Sequence, residues 1–222
     1  MRVMVVGGGV AGAASAVALR RIGTDGIWSA TRSILDPAAP APGYAGLYSV
    51  SGQADHTGIP ARPGVFNMVF ARNGAFLYVP APDHSLWWSA QVASPQQPPL
   101  GEVTDRQWLE RLAELFRFEQ VPQAIVRATI RLHRPTLLHV LAPVGTWRND
   151  RIVLVGDAAH PVGAGQGAAM AIEDAVVLAR QLATAGSPAA ALAAYEQATA
   201  WLYTHDLGTL PTTPSRAGRS GG

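Results

Sequence analysis

Three stretches predict an α/β fold in which the two ends of the chain build one nucleotide-binding unit and the middle builds an antiparallel sheet. Near the N-terminus, Val3-Met4-Val5-Val6 runs straight into Gly7-Gly8-Gly9-Val10-Ala11-Gly12. Toward the C-terminus, Ile152-Val153-Leu154-Val155 runs into Gly156-Asp157 and then into Gly163-x-Gly165-x-Gly167. Between them, Arg72-Asn73-Gly74 separates two apolar runs. A buried strand, a loop with few Cβ atoms and a helix start together bring backbone N–H groups close to an anionic or flat ligand, the arrangement of a reduced Rossmann-like domain. An Asn-Gly pair between apolar runs signals a hairpin, hence the sheet.

Composition narrows the function classes. With 222 residues, 48% of them hydrophobic, the chain can bury a core. It has no cysteine, which excludes disulfides, thiolate metal sites and cysteine nucleophiles. Every basic residue is an arginine, and these are scattered under a formal net charge of +2, giving no basic stripe for nucleic acid. No apolar run approaches the about 20 residues that span a bilayer. Arg2 ahead of an apolar stretch is better explained by a nucleotide-binding turn than by a signal peptide, and a cytoplasmic protein is expected.

Taken in order, residues 3–6 read as a strand and residues 13–22 as a compact helix. In the G-x-G-x-x-G between them, Gly7 makes the turn and Gly9 admits a pyrophosphate. Gly12 lets the helix pack on the strand, and Ala11, between these glycines, is a further candidate cofactor-binding residue. The same fingerprint requires a second strand ending in an acid about 20 residues on. None is legible: Gly23 is followed at once by Thr24-Asp25-Gly26-Ile27-Trp28-Ser29-Ala30-Thr31-Arg32. Residues 36–42, rich in Pro and Ala, read as a linker.

Strand patterns occupy residues 46–50, 65–71, 75–79 and 85–93. Trp87 and Trp88 must point to opposite faces, so at most one lines a pocket. A sheet this small should leave an edge or face uncovered, which invites a homodimer. Trp108, Leu112, Leu115 and Phe116 mark an amphipathic helix over 105–118, with a second helix over 122–130 and a strand over 137–141. Residues 168–185 read as one long helix, and Ser187-Pro188 caps and opens another to about residue 203. The tail should be disordered. The expected divisions are 1–43 and 101–206 for the nucleotide-binding unit, 44–100 for the sheet and 207–222 for the tail.

Gly156-Asp157-Ala158-Ala159-His160-Pro161, Gly165-Gln166-Gly167 and Glu173-Asp174-Ala175 resemble the second flavin-binding signature of the FAD-dependent aromatic hydroxylases, the para-hydroxybenzoate hydroxylase-like monooxygenases. Asp25-Gly26 followed by Ser29 and Arg32 resembles that family's middle motif, reached here without a long internal block. The resemblance implies FAD as cofactor, NAD(P)H as electron donor, O2 as co-substrate, and hydroxylation of an aromatic or polyketide-like small molecule. It implies that Asp157 holds a ribityl hydroxyl and that Gly163, Gly165, Gln166, Gly167 and Ala168 face the pyrimidine end of the flavin. Pro161, with His160, would line the ring, and Asp25 would touch the cofactor. No Ser-His-Asp or metal-ligand spacing accompanies these motifs, and no residue is required as a nucleophile.

Local alternatives stand beside these roles. Asp157 can cap its own turn; His160 can be a packed, hydrogen-bonded loop residue; Glu173 and Asp174 can serve a helix start. A flavin-fold protein that is catalytically silent or repurposed for non-redox work is the competing function, favoured by the missing acidic strand end.

Overall fold

The computed structural model describes residues 4–6, 21–55, 58, 62–161 and 166–205. It divides into two compact units, Met1–Ala41 with Leu141–Gly222, and Pro42–Val140. The sequence groups residues 101–140 with the nucleotide-binding unit, whereas the helices of that span pack into the core of the sheet-containing unit.

In the first unit, β1 (Met4–Val6) and β2 (Arg21–Gly23) are parallel, with Val5 opposite Ile22 and Val6 opposite Gly23. This corrects two expectations. Arg21 and Ile22 are strand, not the end of a helix, and a second parallel strand does precede the D-G motif. Pairing beside β1 overrides the weak local preference of a three-residue segment. Gly7, Gly9, Ala11 and Gly12 lie outside the described residues, as do Gly163, Gly165 and the tail. A short helix, α1 (Ala30–Leu35), follows, with Ser29 as its N-cap.

The second unit is a six-stranded sheet. Its centre is β3 (Gly43–Asp55), far longer than the expected residues 46–50. On one side lie, in order, β6 (Ser85–Ala93), β5 (Gly74–Pro80) and the edge strand β4 (Asn67–Ala71), all antiparallel. On the other, β7 (Thr129–Leu132) and β8 (Thr136–Val140) pair with successive parts of β3. The β4–β5 hairpin forms where Asn73-Gly74 places it: Gly74 has φ 155°, and a Cβ there would lie 1.9 Å from the Gln91 carbonyl oxygen.

One face of the sheet is packed by α2 (Asp105–Leu115) and α3 (Gln120–Arg127). The helix expected over 122–130 stops at Arg127, because Thr129 already pairs with Ala54. A capping box between Thr104 and Gln107 starts α2. Trp108, Leu112, Phe116, Ile125 and Val126 join Tyr48, Phe76 and Trp88 in the core, with Phe76 stacked on Trp88 at 5.4 Å and edge-on to Phe116 at 5.3 Å. The alternation of β6 buries Trp88 and leaves Trp87 48% exposed on the second face. Met68 and Phe70 are exposed as well.

Back in the first unit, the run expected as a strand at 152–155 is extended and its last three residues are fully buried, but among the described residues it makes only an isolated bridge between Val153 and Arg148. It enters a single 3-10 turn, Gly156–Ala158. Then α4 (Gly167–Thr184) and α5 (Pro188–His205) pack with Val153 and Val155 around Tyr195 and Leu178. No helix among the described residues is long and apolar enough to cross a membrane.

Candidate functional site

The D-G loop is built around one carboxylate. Asp25 Oδ1 accepts from Ser29 Oγ at 2.5 Å, and Oδ2 accepts from Thr31 N at 2.9 Å and Thr31 Oγ1 at 3.0 Å. Ser29 Oγ in turn accepts from Arg32 N at 2.9 Å and starts α1. Burial acts to raise the Asp25 pKa, but the bonds from Ser29 and Thr31 outweigh it and hold the carboxyl below its ordinary value.

Arg32 is the side chain that joins this loop to the G-D turn. It is 3% exposed; Nη2 donates to the Ile27 carbonyl at 2.6 Å and Nη1 to the Ala158 carbonyl at 2.9 Å. The forked guanidinium satisfies two backbone acceptors at once, one buried and one half-buried, which an ammonium could not do in the same plane. Two motifs separated by more than a hundred residues therefore meet within one unit, though sequence reading gave Arg32 no role of its own.

Asp174 fixes the turn from behind. Its Oδ2 accepts from Gly156 N at 2.8 Å and pairs with His160 Nε2 at 2.6 Å, so one buried oxygen spans both ends of the Gly156-to-His160 segment. Trp147 stacks on the His160 ring at 5.3 Å. Gly156 sits at φ 61°, a left-handed conformation that suits glycine and lets the chain reverse at the end of the buried run. His160 is thus a packed, hydrogen-bonded residue. Glu173 and Asp174 do not serve the first turn of α4, which contains no acid. Asp174 is buried with Ala171, Ala175 and Leu178. An acid on an apolar helix face at that spacing was a legible sign of a buried partner.

The turn presents Asp157 outward. Its side chain is exposed and makes no hydrogen bond among the described residues. Desolvation by the surrounding chain pushes its carboxyl upward, opposed by nearby His160. It does not cap its own turn; it is an acceptor available to a hydroxyl donor. The start of α4 is similarly open: Gln166 is the N-cap, gives no side-chain bond to the first turn, and is followed by Gly167 and Ala168. The leading N–H groups of a helix without such a cap, together with the positive end of its dipole, suit an electron-rich acceptor. An outward acid and an uncapped helix start fit the ribityl and pyrimidine parts of a flavin. Pro161 lies at the end of this segment, half-buried, and the residues between it and Gln166 are outside the described set.

Comparison with known proteins shows the family. The chain is 33% identical over 187 residues to the aurachin C monooxygenase/isomerase of Stigmatella aurantiaca, covering 79% of this chain and 45% of that protein. It is 60% identical over 57 residues to the 3-hydroxybenzoate 6-hydroxylase of Klebsiella oxytoca, covering 24% of this chain and 14% of that one. The chain therefore spans less than half the length of these curated relatives. In fold it is similar to Klebsiella pneumoniae HpxO, whose crystal structure holds FAD and uric acid: TM-score 0.69, 24% identity, 80% of this chain and 46% of that one. The model of the FAD binding domain family matches residues 21–201, a span that includes the D-G loop, the G-D turn and the start of α4, and the chain belongs to that family.

Proposed function

We propose that this protein is an FAD-dependent monooxygenase that uses NAD(P)H and O2 to hydroxylate an aromatic or polyketide-like small molecule. FAD is the cofactor of its family, and it supplies the redox chemistry while the chain supplies binding and orientation. The observations that carry this reading are Asp157, exposed and without a hydrogen-bond partner among the described residues, and the start of α4, where the N-cap gives no side-chain bond.

In this reading Asp157 accepts a ribityl hydroxyl, and Gln166, Gly167 and Ala168 offer N–H groups to the pyrimidine edge, with Gly163 and Gly165 in the same loop. Pro161 lines the ring. Asp25 holds the loop that Arg32 ties to Ala158, and Gly7, Gly9, Ala11 and Gly12 cradle phosphate. The exposed sheet face carrying Trp87, Phe70 and Met68 offers an aromatic surface for substrate, in keeping with relatives named for hydroxybenzoate and hydroxynicotinate. A cytoplasmic setting, where NAD(P)H is supplied, goes with this role, and the exposed edge strand β4 suits a homodimer.

A second reading, a flavin-fold protein without a redox cycle, is favoured by one observation: β2, the strand that follows the glycine-rich run, ends at Gly23 and not at an acid. Reconstitution with FAD separates the two. The monooxygenase gives a yellow protein whose flavin is bleached by NADH or NADPH and reoxidised by air, faster with an aromatic acid present. A yellow protein inert to both nucleotides supports the second reading, and a protein that takes up no FAD removes the first.

A further inference from the structure

The sheet face turned away from α2 and α3 changes character from strand to strand. The register sets five residues in one unbroken row: Met68 on β4 is paired with Leu77 on β5, Leu77 with Ser89 on β6, and Ser89 with Ser51 on β3. The Ser51 carbonyl accepts from His133 N at 2.8 Å, just past the end of β7. Their chain neighbours Val69, Phe76, Trp88, Val50 and Leu132 belong to the core or pack against it, so strand alternation puts the five on the opposite face.

The row starts apolar and ends basic. At the β4 end Met68 and Phe70 are both exposed, and contiguous exposed apolar side chains mark a binding surface. In the middle, the exposed Trp87 ring lies 5.6 Å from that of His133. At the other end Ser51 Oγ lies 3.5 Å from His133 Nδ1, and Arg131, across from Gln53, brings a guanidinium two residues from His133. Asp55, the acid of this face, is across from Ser85, two rows away from His133. Four strand spacings of about 4.8 Å make the row roughly 19 Å long, far more than one benzene ring covers.

We infer that the ligand of this face is an elongated amphiphile with a carboxylate head, an aromatic part and an apolar tail. The head lies at Arg131 and His133, where its charge is complemented and a guanidinium matches its planar fork. The aromatic part lies over Trp87, and the tail reaches Leu77, Met68 and Phe70. The inference rests on the substrate role proposed above for this face and narrows it.

Ligand-observed NMR titration of the full chain without flavin tests it, the probes being benzoate, 4-butylbenzoate, 4-octylbenzoate and the three matching amides. Affinity should rise about two- to fourfold per methylene as the tail is buried, and each acid should bind roughly tenfold or more tightly than its amide. Arg131→Gln combined with His133→Gln should erase the advantage of the acids and keep the rise with tail length. Met68→Ser combined with Phe70→Ser should flatten the rise and keep the advantage of the acids. Acids and amides that bind alike, or a rise that survives the β4 substitutions, overturns the inference. FAD uptake, measured separately on the same preparations, decides the cofactor reading: a yellow protein without graded binding loses this inference alone, and a protein with graded binding that takes up no FAD keeps it and loses the monooxygenase reading.

Discussion

Arg32 donates from Nη1 to the carbonyl oxygen of Ala158 at 2.9 Å, joining two motifs that lie 126 positions apart in the chain. This contact holds the D-G loop against the turn that presents Asp157.

Arg32→Ala removes donors from two carbonyls, those of Ile27 and Ala158. Leaving buried acceptors without partners costs about 1–3 kcal/mol each, and a loss of roughly 2–4 kcal/mol in urea unfolding is expected. Arg32→Lys should recover only part of it, since a point charge cannot satisfy both acceptors. Full stability in the Lys variant would show that charge alone, and not the fork, is what matters.

Asp174→Ala takes away the oxygen shared by Gly156 N and His160 Nε2. The variant should unfold roughly 2–4 kcal/mol more easily and bind flavin more weakly, with Asp174→Asn between it and the wild type because an amide oxygen keeps one acceptor. Denaturation and flavin titration of the pair check this. An unaltered flavin affinity in the Ala variant would separate Asp174 from the site.

Asp25 carries a pH signature. Its folded-state pKa lies below the ordinary 3.8, so its contribution to stability is present above that value and is lost as pH falls through the folded pKa. Asp25→Asn should therefore cost stability at pH 7 and progressively less below about pH 4. A stability difference between variant and wild type that stays constant across acid unfolding would contradict the network seen around this carboxylate.

The adjacent tryptophans of β6 should behave oppositely. Trp88, stacked with Phe76 in the core, should cost about 3–5 kcal/mol on truncation to Ala. Trp87, exposed and touching His133 at 5.6 Å, should cost less than about 1 kcal/mol while raising KM for an aromatic substrate. Thermal melts and steady-state kinetics distinguish the two.

Much of the sheet was legible because its signals are local. Alternation fixed the faces of β6, Asn73-Gly74 fixed the β4–β5 hairpin, and Ser187 marked a helix start. The misses were segments whose state depends on distant partners. Arg21–Gly23 is a strand only because β1 lies beside it; Thr129 leaves its helix because Ala54 offers a ladder position. Asp157 stood out by its place after a buried run. Arg32 did not, since nothing local distinguishes a buried arginine from an exposed one; its acceptor lies 126 residues away. Asp174 had a local sign, an acid on the apolar stripe with Ala171 and Leu178, that its neighbour Glu173 obscured.

The most direct test is a flavin titration of Asp157→Ala set beside its apoprotein stability. The Asp157 pKa is raised in the folded state, so its ionised form disfavours folding at neutral pH and removing it should leave stability equal or higher. Flavin affinity should fall by roughly 10- to 100-fold, the loss of about 1–3 kcal/mol of bonding to a hydroxyl. Undiminished affinity in a normally folded Asp157→Ala protein would contradict the assignment of this turn to the flavin.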